Sequence, residues 1–145
     1  GRDLLADQDC SGASTVIEKE VLSNLLIGMV QATLFYAVEN AKLSSNSKAF
    51  EISSGYVFSR SILPLVQLAN ATSAAIITSN FNFDLTVKPV AAGSDAIYTA
   101  VVFALPGMKI DCDSIGIYQE KTVCAAAPPL GDGDGDGDVQ ENPTP

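Results

Sequence analysis

An uncharged apolar stretch near the N-terminus is the feature that most restricts how this chain can fold. Residues 21–38 contain no Asp, Glu, Lys or Arg, and apolar residues recur in and before this stretch at spacings of three and four. That spacing is typical of a helix with one buried face. The predicted helix starts at Ser14 or Thr15, because Glu18 follows Thr15 at the capping-box distance, and it ends within residues 40–46.

The same stretch is just long enough to cross a membrane. However, Ser23, Asn24, Gln31 and Thr33 interrupt its apolar character, and charged residues flank it closely. We therefore expect a helix of about 28 residues, roughly 40 Å long, that protein buries along most of its circumference. No membrane span is expected in this chain.

The remainder of the chain favours short strands. Residues 49–63 and 73–90 each suggest a strand pair, separated by a short helix at 63–71, and the β-branched and aromatic run 96–107 predicts a central strand ended by Pro106-Gly107. Residues 108–112 and 116–124 add further strands. The predicted fold class is α+β, with the long N-terminal helix packed on an antiparallel β-sheet, followed by a disulfide-closed loop and an acidic tail.

Charge and composition exclude several function classes. The net charge is −9, and residues 131–145 carry five of those charges with no Lys or Arg to offset them. Without a basic stripe, nucleic-acid binding is not expected. The chain contains no His, which removes the usual general base and the usual zinc ligand. We therefore predict no enzymatic activity and no catalytic residues.

The tail Gly131–Pro145 alternates Gly and Asp before it ends in VQENPTP. Asp132, Asp134, Asp136 and Asp138 have the spacing of oxygen ligands in the first half of a calcium loop, so Ca²⁺ is the one cofactor that the sequence suggests. This part is similar to the calcium loops of dockerins and thrombospondin type-3 repeats. The twelfth position is Pro143 instead of a bidentate Glu, and a solvated acidic spacer is the alternative.

Three cysteines and one sequon bear on the cellular compartment. Cys112 and Cys124 enclose eleven residues and could close a C-terminal loop as a disulfide, which would indicate an oxidising compartment; free, buried thiols are the alternative. Cys10 is left over, either free or paired with another chain. Asn70 begins the sequence Asn-Ala-Thr and is a candidate glycosylation site.

In its order of elements, residues 14–124 resemble the soluble headpiece of a type IV pilin or pseudopilin. The stretch GMKIDCDSIGIYQEKTVC is similar in layout to the C-terminal loop that two cysteines close in those families. The resemblance implies a disulfide between Cys112 and Cys124, assembly into filaments, and in some members a calcium site in an acidic loop. The pilin N-terminal pattern is not found here, and Cys10 and the Gly-Asp tail have no counterpart in those families.

These features predict three regions and one leading function. The regions are an N-terminal segment 1–13, a single α+β domain 14–127 and a Pro-containing acidic tail 128–145. The predicted function is a secreted or cell-surface structural subunit that assembles with copies of itself into a filament or surface layer. In one form of this hypothesis, calcium stabilises the assembly. The alternatives are an extracellular binding module for a small apolar ligand, or an acidic matrix protein associated with calcium or mineral.

Overall fold

The described part of the chain folds almost entirely into helices. The structure, a computed structural model, describes residues 2–44, 49–118 and 121–122. These residues form six α-helices, in chain order α1 Arg2–Ala6, α2 Cys10–Val16, α3 Ser23–Ala41, α4 Ala49–Ala69, α5 Ala71–Asn80 and α6 Ser94–Ala104. The predicted α+β fold with an antiparallel sheet is therefore wrong. Within the described residues, strand pairing is confined to β1 Ile117–Tyr118 and β2 Lys121–Thr122, an antiparallel pair with two residues on each side.

The predicted N-terminal helix exists, but it starts earlier than expected. A π-helical segment, Ile17–Leu22, joins α2 to α3, so helical structure is continuous from Cys10 to Ala41. The N-cap is Asp9, whose carboxylate accepts a hydrogen bond from the Gly12 amide at 2.8 Å. The predicted capping box at Thr15 is wrong, because Thr15 lies inside α2 and donates to the Ser11 carbonyl instead. The predicted end of the helix is confirmed by Ala41.

Helix α4 replaces the strand pair that residues 49–63 suggested. Its buried residues, Ile52, Gly55, Ser59, Ile62 and Val66, follow helical spacing. Two of these five positions are Gly and Ser, so the buried face is not marked by apolar residues alone. Ser59 satisfies its buried hydroxyl by donating to the Tyr56 carbonyl. Burial against α3 and α5 thus determines the local structure, and intrinsic strand propensity does not.

Helix α6 is the central element, and it replaces the predicted central strand. Six of its eleven residues are buried: Ile97, Tyr98, Ala100, Val101, Val102 and Ala104. They join residues from α3, α4, α5 and the segment after α6 in one apolar core. A segment buried on nearly all sides shows no periodicity, which explains why the β-branched composition of α6 suggested a strand.

Hydrogen bonds of Asn80 hold the loop between α5 and α6 in place, in a region for which a strand was predicted. Asn80 is buried; its amide donates to the Ile76 carbonyl and its Oδ1 accepts from the Ala92 amide, both at 2.9 Å. The Asn80 carbonyl also accepts from the Val90 amide at 3.0 Å. Val90 is buried with φ of +48°, a left-handed conformation that β-branched residues rarely adopt. The Asn80 bonds therefore hold this loop against the core.

Candidate functional site: two uncovered helix faces

The described part of the chain covers the long helix on one side only. Leu26, Val30, Leu34 and Ala37 of α3 face the core. Of the most apolar 18-residue window in Cys10–Ala41, 28% is buried inside the protein. The described part of the single chain therefore does not bury this helix along most of its circumference, and burial by other protein stays a prediction. By length and composition the helix could cross a membrane, although its C-terminal half forms part of the core.

Opposite the core, α3 and the π-helical turn before it present an apolar row, which we call the α3 face. Its members follow one another at spacings of four, three, four and three: Val21, Leu25, Gly28, Ala32 and Phe35. Leu25 is 62% exposed and Phe35 is 58% exposed. The alternating spacing is that of a coiled-coil seam. An exposed apolar row of this kind marks an interaction site, and none of the described residues covers it.

A second uncovered row lies on the outside of α4, and we call it the α4 face. It has the same alternation of four and three residues: Phe50, Ser54, Val57, Ser61, Pro64 and Leu68. Phe50 is 72%, Val57 60% and Leu68 85% exposed. The sequence-based prediction missed this face because residues 49–63 were assigned to strands. The repeats Phe50, Val57, Pro64 and Ser54, Ser61, Leu68, each at seven-residue intervals, were the available signal.

The two helical glycines of the hairpin formed by α3 and α4 have opposite surroundings. A Cβ built on Gly28 would meet no heavy atom within 4 Å, so the α3 face has a depression at this position. A Cβ built on Gly55 would collide with the Asn40 side chain and come within 2.8 Å of the Phe81 ring. Gly55 therefore permits the close contact between α3 and α4, whereas Gly28 opens to the exterior.

Asn40 is an exception to hydrogen-bond satisfaction in the core. It lies in the last turn of α3, is 1% exposed, and neither atom of its side-chain amide has a hydrogen-bond partner. A buried amide without partners costs about 1–3 kcal/mol relative to a satisfied one. This unsatisfied amide lies at the contact between α3 and α4, beside Gly55.

Two small cavities border α3. One, of about 330 Å³, is lined mainly by apolar residues of α3 and of the segment near Ile115, and the Gln31 amide spans it by donating to the Ile115 carbonyl at 3.2 Å. The other, of about 320 Å³, is lined by Leu22, Leu26, Leu65 and Met108, with Lys109 also in its wall. Both volumes lie at the lower end of the range for ligand pockets, about 300–1,000 Å³.

The predicted metal and disulfide residues largely fall outside the described residues. Asp132, Asp134, Asp136, Asp138 and Cys124 all lie there, so the calcium site and the pairing of Cys112 with Cys124 stay predictions. Cys112 is half-buried at the first position of a short 3-10 helix, Cys112–Ile115. Within residues 2–44, 49–118 and 121–122, no group of three or more side chains of His, Cys, Asp or Glu could hold a metal ion.

Asn70 and Cys10, the other residues singled out in the sequence, and Asp111, which precedes Cys112, lie within the described residues. Asn70 is the N-cap of α5, and its Oδ1 accepts from the Ser73 amide at 2.9 Å; glycosylation there stays a prediction. Cys10 is a free, exposed thiol at the start of α2. Asp111 caps the 3-10 helix by accepting from the Asp113 amide at 3.1 Å.

The ionisable groups with shifted pKa values lie away from both faces. Hydrogen bonds from the Thr86 hydroxyl and amide lower the pKa of the exposed Asp84 carboxyl. Burial raises the pKa of the Tyr98 phenol. Neither of these two pKa shifts arises from an acid and a base that share one site.

No protein family, curated protein or solved structure matches this chain.

Proposed function

We propose that this chain is a structural subunit that assembles with copies of itself into a filament or layer outside the cell. The observation that carries the proposal is the α3 face: a row of apolar residues, opposite the core, that no part of residues 2–44, 49–118 and 121–122 covers. Contiguous apolar surface of this kind marks an interaction site. The α4 face gives the subunit a second such row.

The expected strength of the contact is modest. Fully burying a Val, Leu or Phe side chain is worth about 1.5–3 kcal/mol. Six large side chains on the two faces are at least half exposed: Val21, Leu25, Phe35, Phe50, Val57 and Leu68. Their complete burial would contribute roughly 6–12 kcal/mol, against an association cost of about 4–15 kcal/mol. Association should therefore be weak per contact and strongly dependent on concentration.

The location outside the cell rests on the predicted disulfide between Cys112 and Cys124, since disulfides persist in oxidising compartments. In this proposal calcium binding by Asp132, Asp134, Asp136 and Asp138 adds stability to the assembly. Removal of residues 131–145 distinguishes the proposed structural subunit from a matrix protein that acts through its tail. Unchanged assembly of the truncated chain supports the subunit, and loss of all calcium-dependent behaviour with no assembly at all supports the matrix protein.

The assembly itself is tested with purified protein over a concentration series. Light scattering after size-exclusion chromatography and negative-stain electron microscopy, with calcium and with a chelator, should reveal species larger than the monomer that grow with concentration. A protein that stays strictly monomeric up to about millimolar concentration, where even contacts worth only about 4 kcal/mol would be populated, would contradict the proposal.

A second candidate function is a binding module for a small apolar ligand, which the two cavities beside α3 favour. Their walls are mostly apolar, with Glu39 in one and Lys109 in the other, and their volumes lie at the small end of the range for ligand pockets. Native mass spectrometry of the purified protein tests this directly. A co-purifying small molecule that Gln31→Trp displaces would favour this function, since the exposed Gln31 lines one of the cavities and lies outside the core.

A further inference from the structure

We propose that residues 123–130 of this chain, VCAAAPPL, cover the cavity that Gln31 and Ile115 line, which we call the Ile115 cavity. These residues lie outside the described part of the chain, and the inference is independent of the proposed self-assembly. It rests on where the described chain ends, on the lining of the cavity and on the composition of the segment. A small molecule would then enter this cavity only when the segment leaves it.

The Ile115 cavity lies between α3 and the segment that follows α6, and its volume is about 330 Å³. Its apolar lining comes from α3 and from residues 115–117: Leu34, Phe35, Val38, Ile115 and Ile117. The Gln31 amide donates to the Ile115 carbonyl at 3.2 Å, which fixes the two parts of the lining to each other. Phe35 is 58% and Ile117 75% exposed, so the described residues leave much of this apolar lining uncovered.

The last described residues of the chain lie beside this cavity. Strand β2 pairs with β1 in antiparallel orientation, with Thr122 opposite Ile117. Because the two strands run in opposite directions, the chain leaves Thr122 in the direction that leads from Ile117 towards Ile115. Paired residues have Cα atoms about 4.5–5.5 Å apart. The segment 123–130 therefore begins next to one lining residue and continues towards another.

The length of the segment suits the cavity. Eight residues in extended conformation span up to about 26 Å. The stretch of α3 that lines the cavity, from Gln31 to Glu39, is about 12 Å long. The segment can therefore reach from β2 across the whole lining, whereas one or two residues could not.

The composition of the segment suits an apolar lining. Residues 123–130 carry no charge, and Pro128 and Pro129 have no backbone N–H that would be left unpaired there. Glu39, the one charged residue of the described lining, is already paired with the Lys42 ammonium at 2.7 Å. Residues 131–145 carry five acidic side chains and no basic one, so they would bring unpaired charges to the same surface. The occupant is therefore the segment before the acidic tail.

The predicted disulfide agrees with this placement. Side chains three residues apart lie on the same side of a 3-10 helix, so the half-buried Cys112 lies on the side of Ile115. Cys124 is the second residue of the segment. A disulfide between the two cysteines would hold their Cα atoms about 4.4–6.8 Å apart and would fix the segment beside the cavity.

Photo-crosslinking in the full chain tests the contact directly. The photoreactive residue p-benzoylphenylalanine is placed at residue 126, in the middle of the segment, and at residue 136 of the acidic tail as a matched control. Peptide mass spectrometry after irradiation should find residue 126 joined to peptides that contain Phe35 or Ile117, and residue 136 joined to neither. A mixture of isotopically labelled and unlabelled chains distinguishes crosslinks within one chain from crosslinks between chains.

A second measurement uses the uncharged fluorescent probe N-phenylnaphthylamine and full-length variants. Ala126→Asp with Leu130→Asp puts two charges into the segment, which should then leave the apolar lining. If the segment covers the cavity about nine-tenths of the time or more, the apparent dissociation constant of the probe should fall by about 10-fold or more. Val139→Asp with Pro143→Asp adds the same charge to the acidic tail and should not change that constant. Gln31→Trp, added to the first pair, should abolish the gain because Gln31 lines the cavity.

Contrary results overturn the inference. If residue 126 is crosslinked to other surfaces or only to a second chain, the segment does not cover the cavity of its own chain. The same conclusion follows if wild type binds the probe as tightly as the Ala126→Asp, Leu130→Asp variant, or if the control pair gains as much affinity. Circular dichroism checks that each variant is folded. Light scattering of the same samples reports self-assembly separately, so either proposal can fail while the other stands.

Discussion

The pair of glycines in the α3–α4 hairpin allows the packing to be tested by two matched substitutions. Replacing a glycine inside a helix by alanine stabilises the helix by about 0.5–1 kcal/mol when space is available. Gly28 has that space, so Gly28→Ala should increase the free energy of unfolding by this amount. At Gly55 the new methyl group would collide with the Asn40 amide and lie 2.8 Å and 3.0 Å from two atoms of the Phe81 ring.

Overpacking of this kind costs about 1–3 kcal/mol. The gain in helix propensity is common to both substitutions, so the difference in free energy between the two variants isolates the overpacking. Gly55→Ala should therefore be less stable than Gly28→Ala by about 1–3 kcal/mol. Asn40→Ala should recover part of this loss in the Gly55→Ala chain, because it removes one of the two colliding groups, and the two substitutions should be non-additive.

Urea unfolding followed by far-UV circular dichroism measures these differences. The substitutions are best compared in the Leu25→Glu, Val57→Glu double variant, in which both faces are disabled, so that unfolding does not depend on concentration. If Gly55→Ala proves as stable as Gly28→Ala, the close approach of α3 and α4 at this point is wrong. If Asn40→Ala has the same effect with Gly55 as with Ala at that position, the contact between residues 40 and 55 is wrong.

Three further outcomes are expected elsewhere in the molecule. Asp9→Ala removes the N-cap of α2 and should lower the free energy of unfolding by about 0.5–2 kcal/mol, with Asp9→Asn as a control that keeps the cap. Asn80→Ala leaves the Ala92 amide unpaired, so it should cost about 1–3 kcal/mol and hasten proteolysis within residues 81–93, unlike Asn82→Ala on the same loop. Because burial raises the pKa of Tyr98 above 10.0, the folded state favours the neutral phenol. Stability should be complete below about pH 10 and fall as pH rises from there, and Tyr98→Phe should flatten that fall in urea midpoints. An unchanged slope would contradict the burial of this phenol.

The sequence predicted α3 well because most of its buried residues are apolar and no proline interrupts them. Leu26, Val30, Leu34 and Ala37 repeat at helical spacing, and Asn40 begins the polar segment that ends the helix. The true start was missed because both Asp9 and Thr15 can cap a helix. Only the hydrogen bond from the Gly12 amide distinguishes them.

The rest of the fold was obscured by physical causes that differ between helices. In α6, Val101 and Val102 are both fully buried, so no period distinguishes the segment from a central strand. In α4, Gly55 and Ser59 occupy buried positions while Phe50 and Leu68 are exposed, which inverts the usual pattern. That inversion hid the candidate site as well as the helix, because residues 49–63 were assigned to strands.

The lack of charge on the α3 and α4 faces has a thermal consequence. Contacts between apolar surfaces are driven by entropy near room temperature and weaken on cooling, whereas contacts between charged surfaces weaken with salt. An assembly held by these two faces should dissociate in the cold and re-form on warming. Sodium chloride should have little effect on it, and sulfate should strengthen it. Temperature would thus regulate the length of such a polymer more than the concentration of sodium chloride does.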